Sequence, residues 1–331
     1  MLDHSVFNPM SPQANAISNL FILTIIISLL IIVGISGVLV YSLIRYRARP
    51  GQQGEPPQTF GIVRLEVAWT IIPFIVVTGL FGATVKAMID SSPGQISLNG
   101  DAARNPNRMT VIGHQWWWEI RYPSGVVTAN VVHIPVGQRW VVAVESADVI
   151  HDFWATQLGP KIEAVPGQTN YIWLEADKPA VYHGDCAEFC GAGHAWMLFD
   201  VVAESQAQFN AWQRQQLRQP VSPRTLQPAA GYTSSEVRAG ASLFTYYACA
   251  SCHYLRGVNG TGTQPSVDYA PNLTHIGSRS LLAAGAVSNT PAHMEQWLLN
   301  PDTVKPGVHM PNFQLSEAQA RDLSAYLESL R

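Results

Sequence analysis

From Ile17 to Ile44 no position is charged, and Leu, Ile and Val dominate. That run exceeds the roughly 20 residues needed to cross a hydrocarbon core. A second uncharged run, Val67 to Val85, lies between Glu66 and Lys86 and contains Pro73. Membrane helices tolerate proline where neighbours satisfy the freed carbonyl. Together the runs predict a helical hairpin with spans at 17–44 and 67–86. The first run is too long for a signal-peptide core and lacks a basic segment before it, so an uncleaved span is expected.

Beyond the second run the pattern changes to short β-branched and aromatic stretches: Met109–Ile112, Arg139–Val144, Asn170–Leu174, Val181–His183 and Met197–Val202. Gly, Pro and Asn punctuate them, as in a β-sandwich or small barrel. Ser205 followed by Gln208 is a capping pattern that predicts a short helix carrying Phe209 and Trp212. Residues 214–231 are rich in Gln, Pro and Arg without apolar periodicity and read as a linker. A second capping pattern, Thr233 with Glu236, opens a helix expected to run to Cys249. A last helix begins at Ser316 and places Ala320, Leu323, Leu327 and Leu330 on one face. The expected units are therefore 1–89, 90–213, the linker 214–231, and 232–331.

Only 13% of the residues are charged, against about 25% in soluble domains, which fits a membrane-embedded part. Arg45, Arg47, Arg49 and Arg64 lie between the two spans, whereas residues 1–16 hold no Lys or Arg. The positive-inside rule puts that loop in the cytoplasm and everything after Lys86 outside. Residues 90–213 carry 6 Lys and Arg against 13 Asp and Glu. Such a surface binds nucleic acid poorly and suits a basic partner.

All four cysteines fall in two close pairs, Cys186/Cys190 and Cys249/Cys252. Short paired spacings point to cofactor sites rather than a disulfide framework. Cys186, Cys190, His194 and Met197 place two thiols, an imidazole and a thioether in one loop. These soft donors select copper, zinc or iron–sulfur, and two thiolates can bridge two ions. A structural zinc site and a Cys186–Cys190 disulfide remain open on the loop alone. One more imidazole is needed. His151, expected at the end of a strand, is the best candidate, with His133 and His183 as alternatives. Cys249-Ala250-Ser251-Cys252-His253 is the C-x-x-C-H signature of c-type haem attachment. It has no second Cys pair nearby for a zinc ribbon and no βαβ context for a thioredoxin-like pair. Met310, between stiffening prolines at 306 and 311, is the first choice for the opposite ligand. Met294 and His309 are rivals.

Residues 15–205 resemble subunit II of the haem–copper cytochrome c oxidases. The matching pieces are Leu65 to Pro73, Gly113-His114-Gln115-Trp116-Trp117-Trp118, the His151 segment, and Cys186 to Met197. The resemblance implies a cupredoxin-like barrel with the binuclear copper centre CuA. In it Cys186 and Cys190 bridge both coppers, His151 and His194 bind one each, Met197 binds weakly, and Glu188 binds through its carbonyl. It further implies a magnesium ion reached by the Glu188 side chain, electron arrival through Trp116, and a proton pathway opening at Glu66. Three consecutive tryptophans cannot all face one way in a strand, and a helix-start Glu is also favoured by the dipole.

The last hundred residues resemble a class I cytochrome c, and the whole chain resembles the caa-type oxidases, in which such a domain follows subunit II. The implied fold is a two-helix transmembrane hairpin, then an all-β cupredoxin-like barrel, then an all-α cytochrome c domain. The implied function is electron transfer from haem c to CuA and on to the haem–copper subunit I, with oxygen reduction coupled to proton pumping. Expected partners are subunit I, other oxidase subunits and cytochrome c or another respiratory donor. The expected location is a bacterial plasma membrane, with both redox domains on the periplasmic side. Two rival functions stand beside this one: a subunit of a CuA-containing nitric oxide reductase, and a stand-alone membrane-anchored redox carrier.

Overall fold

The computed structural model describes residues 5–47, 51, 54, 60–92, 107–218, 225–258 and 269–331. Arg49 and residues 219–224 of the expected linker lie outside them. The chain divides into two compact units, residues 15–91, and residues 1–14 with 92–331.

The first unit holds most of α1 (Pro12–Arg45) and all of α2 (Val63–Ser91), both long and apolar enough to cross a membrane. Their apolar side chains are exposed almost throughout, as lipid-facing helices require. Pro73 is accommodated inside α2, and Glu66 sits in its first turn.

The second unit begins as a sandwich of two five-stranded sheets. β1 (Arg108–His114), β2 (Trp117–Arg121), β3 (Val127–Ala129), β4 (Val131–Pro135) and β5 (Trp140–Ser146) are followed by β6 (His151–Trp154), β7 (Ile162–Ala164), β8 (Asn170–Leu174), β9 (Ala180–Cys186) and β10 (Leu198–Glu204). One sheet runs β3-β2-β1-β5-β8 and the other β4-β10-β9-β6-β7. The β1–β5 and β4–β10 pairs are parallel. Between the sheets, Trp118, Ile120, Val142, Phe153, Leu158 and Phe199 are almost fully buried. Gly184 on β9 makes room for the tip of the Phe199 ring, with which a Cβ would collide.

Helix α3 (Gln206–Gln216) carries the expected Ser205–Gln208 capping box. It reaches into the stretch read as linker, and Leu226 and Ala229 at the far end pack on the C-terminal core. That core is built from α4 (Ser234–Tyr246), α5 (Pro291–Leu299), α6 (Pro301–Val304) and α7 (Glu317–Glu328). Gly240 permits the α4–α7 crossing, since any Cβ there would meet the Asp322 carbonyl. Ala320, Leu323, Leu327 and Leu330 are all buried, as their spacing predicts.

Two local expectations need correction. Helix α4 stops at Tyr246 rather than at the cysteines, because Ala248 takes a left-handed φ of 52° and a 3-10 turn, Cys249–Ser251, follows. His151 opens strand β6 instead of closing a strand, because residues 147–150 form the preceding turn.

Candidate metal and haem sites

The loop from Cys186 to Met197 runs from the end of β9 to the start of β10. These strands pair antiparallel through Asp185 and Leu198, so both ends are held by ladder hydrogen bonds. Cys186 Sγ and Cys190 Sγ lie 3.8 Å apart. His151 Nδ1 is 3.9 Å from Cys186 Sγ, and His194 Nδ1 is 3.6 Å from Cys190 Sγ. Met197 Sδ stands 3.9 Å from Cys190 Sγ, and the Glu188 carbonyl oxygen 3.3 Å from Cys186 Sγ. The Glu188 side chain is exposed.

These spacings fit metal ligation. Bond lengths of about 2.3 Å to sulfur and 2.0–2.1 Å to nitrogen put two donors of one tetrahedral ion roughly 3.5–3.8 Å apart. His151, Cys186 and Cys190 form one buried donor set, with ligand atoms all within 4.8 Å of one another. The cysteines are not joined as a disulfide. Hydrogen bonding between the thiols draws the Cys186 thiol well below the usual range, and the same contact, with burial, pushes Cys190 up.

Asp148, not singled out by the sequence, orients this set. Its Oδ1 is 2.8 Å from His151 Nε2, and its Oδ2 accepts from the Gln115 amide at 2.6 Å. Burial disfavours a charge on His151, but the bonds to Asp148 and Cys186 prevail and hold its pKa above the ordinary histidine value. A carboxylate on the distal nitrogen fixes which nitrogen faces a metal. The other candidate histidines are engaged elsewhere. His133 pairs with Glu204 at 3.0 Å and stacks on Trp212, and His183 pairs with Asp200 at 2.7 Å.

The three tryptophans separate as the strand rule requires. β2 begins at Trp117, so Trp116 lies just ahead of it. Trp118 points into the sandwich core, while Trp117 clusters with Ala129 and with Ala284 of the C-terminal domain. Trp116 donates its Nε1 to the Cys190 carbonyl at 2.9 Å.

Cys249, Cys252, His253 and Met310 of the C-terminal domain all line one cavity of about 540 Å³, whose wall is completed by Gln115, Trp116 and Trp117 of the barrel, a size usual for cofactor pockets. His253 Nδ1 donates to the Pro271 carbonyl at 2.7 Å, and burial lowers its pKa. A neutral imidazole so held presents Nε2 as its lone-pair nitrogen, the state a metal ligand needs. Of the rivals to Met310, Met294 is fully buried in the core on α5, and His309 lines the cavity but also packs on Trp116.

Arg279 was missed from sequence. It lines the same cavity, donates to the Asn272 carbonyl, and has no partner for Nε among the described residues. A buried orphaned guanidinium donor suits the carboxylates at a haem edge. Its distance from Cys252 in sequence gave no signal. Glu66 remains on α2 in the other unit.

Comparison with known proteins agrees in order along the chain. Residues 5–81 match the family model described as cytochrome c oxidase subunit II, transmembrane domain; residues 125–205 match the subunit II periplasmic domain, and residues 237–331 match cytochrome c. Cytochrome c oxidase subunit 2 of Alkalihalophilus pseudofirmus is 34% identical over 99% of this chain and 91% of its own. The same subunit of Bacillus sp. strain PS3 is 30% identical over 86% and 80%. The solved periplasmic domain of subunit II from Bradyrhizobium japonicum is 30% identical and covers 32% of this chain and 90% of that one, with a TM-score of 0.31. The chain belongs to the cytochrome c oxidase subunit II family, in the form that carries a cytochrome c domain behind the subunit II domain.

Proposed function

We propose that this chain takes electrons from a respiratory donor at its cytochrome c domain, passes them to a dicopper centre in its barrel, and delivers them to the haem–copper subunit of a proton-pumping oxidase. When bound, the haem and the copper pair supply one-electron couples. In this reading Cys186, Cys190, His151 and His194 would hold the two coppers, with Met197 and the Glu188 carbonyl as weaker donors. Cys249 and Cys252 would attach the haem, His253 and Met310 would ligate its iron, and Arg279 would meet its carboxylates.

The observation that carries the copper reading is how the donors are distributed. One tetrahedral zinc ion needs all four ligands at mutual distances below about 4 Å. Here the close set comprises His151, Cys186 and Cys190, and His194 approaches through Cys190. Two ions sharing the thiolates use every donor. Bulky neighbours keep water out, with His151 and Met197 fully buried.

Both apolar helices cross the membrane in this proposal, with the arginine-bearing loop cytoplasmic and both redox domains periplasmic. Glu66, in the first turn of α2, opens a proton pathway into subunit I, and the exposed Glu188 carboxylate reaches a magnesium ion shared with that subunit. Metal and haem counts on the purified complex, with optical and EPR spectra, test the core of this. Two coppers and one haem per chain, with an EPR signal from one electron shared by two coppers, are expected. Zinc, or a single isolated copper, would overturn it.

A further inference from the structure

Lys305 is only 3% exposed, and its ammonium donates to the backbone carbonyl of Trp116 in the barrel. Burial pulls its pKa down to about 7. Burying an amine is unfavourable without a hydrogen-bond partner, and here the partner belongs to the other domain. The contacts continue along the same segment. A Cβ at Gly307 would stand 2.9 Å from the Ala192 Cβ in the thiolate loop. The His309 ring lies 4.7 Å from the Trp116 ring. Met310, next in sequence, lines the C-terminal cavity. On the far side, Trp116 bonds to the Cys190 carbonyl, and Gly193 leaves room for its ring. Trp116 is left 7% exposed.

We propose that Lys305–Met310 is a docking finger in which Lys305 pins the cytochrome c domain to the barrel and His309 positions its cavity against Trp116. Trp116 then accepts electrons from this chain's own C-terminal domain and is closed to an external donor. The inference rests on the electron-transfer reading above. The step would move one electron from the haem to the copper pair, with no bond made or broken and no proton transferred.

The first test uses the intact oxidase and needs no variant. Lysines are acylated in the native complex and, separately, in denatured chain, and the rates are compared by mass spectrometry. Lys305 is expected to react at least about tenfold more slowly in the native complex, as a group reached only through local opening does. Equal native and denatured rates would overturn the docking. This readout does not depend on copper or haem, so it fails independently of the functional reading.

The second test follows haem oxidation and copper reduction after rapid photoreduction of the complex. Lys305→Met and His309→Ala are expected to slow transfer about tenfold or more, since an ångström of misplacement can cost that much. His309→Phe should restore most of the loss at that position, and haem and copper spectra should be unchanged in all three. Wild-type rates in all three variants would sink the proposal. So would a haem spectrum altered by His309→Ala and not by Met310→Ala, which would make His309 a ligand. With a soluble reduced cytochrome as donor, the haem band should change before the copper band. Copper reduced ahead of haem would show that Trp116 is open.

Discussion

A single added methyl group tests how tightly the barrel holds His151. Gly113 lies in β1, paired on one side with Trp118 and on the other with Ser146, so its backbone is fixed from both sides. A Cβ at this position would stand 2.7 Å from His151 Cδ2, 3.0 Å from Cγ and 3.1 Å from Trp118 Cζ3. Carbon atoms pack at about 3.5–4.0 Å, so in Gly113→Ala the imidazole must retreat by roughly 0.8–1.3 Å. Asp148 holds its Nε2 at 2.8 Å, and Trp118 is edge-packed on both Phe153 and Phe199. Metal–ligand distances tolerate only about 0.2 Å. The clash is therefore expected to expel His151 from the proposed copper site or to shear it. Overpacking of this kind costs about 1–3 kcal/mol, or about 2–12 °C in melting temperature for a unit of this size. Copper per chain, the EPR splitting and the melting temperature of the complex are the measurements. Gly79→Ala, where nothing lies within 4 Å, is the control. Full copper, an unchanged spectrum and unchanged melting in Gly113→Ala would refute the reasoning.

Asp148→Asn should weaken copper binding about 10–100-fold, the usual effect of losing a ligand's orienting partner; competition with a chelator measures it, and wild-type retention would contradict the role. Met310→Ala should lower the haem potential, within the roughly 0.8 V range that axial ligands span, and leave the copper signal intact; redox titration decides. Burial works against ionised Glu119, but hydrogen bonds from His114 and Arg121 outweigh it and hold its pKa below the ordinary glutamate value. Its contribution to barrel stability is therefore present above the unfolded value of 4.5 and lost as pH falls through the lower folded value. Denaturation of wild type and Glu119→Gln between pH 6 and 3 checks this, and the variant should show the shallower decline.

The candidate donors that sequence exposed are those whose chemistry is local. Cys186 to Met197 and Cys249 to His253 each place several candidate ligands within one loop, so spacing marks them as cofactor sites. The capping boxes at Ser205 and Thr233 were readable for the same reason, since each closes over four residues; the one at Ser316 follows the same pattern but was read only as a helix start. Asp148 shares a short turn with His151, yet its role needed the orientation of the ring. Arg279 and Lys305 gave no signal, because an isolated cation in sequence normally marks solvent. Only the fold shows that Lys305 is buried against the carbonyl of distant Trp116 and that Arg279 turns into the cavity, bonded to the Asn272 carbonyl. Helix α4 was drawn too long because nothing in Tyr246 to Ala248 announces a left-handed alanine.

The Trp116–Trp118 triplet shows how such distant constraints converge. Trp118 belongs to the alternation of β2 and backs His151 through the core, with ring centroids 5.8 Å apart. Trp117, on the opposite face, stacks on His114 at 4.2 Å and meets Ala284 of the C-terminal domain. Trp116 precedes the strand and is free of its alternation, so its ring can reach the Cys190 carbonyl while its own carbonyl receives Lys305. One tripeptide thus backs a proposed copper ligand, packs against the second domain and joins the thiolate loop to the cavity lined by Cys249, Cys252 and His253. The face that meets the C-terminal domain and the ring that backs His151 come from adjacent residues, which the pleat of β2 turns to opposite sides of the sheet. Loosening the domain contact at Lys305 is therefore expected to leave the copper spectrum unchanged.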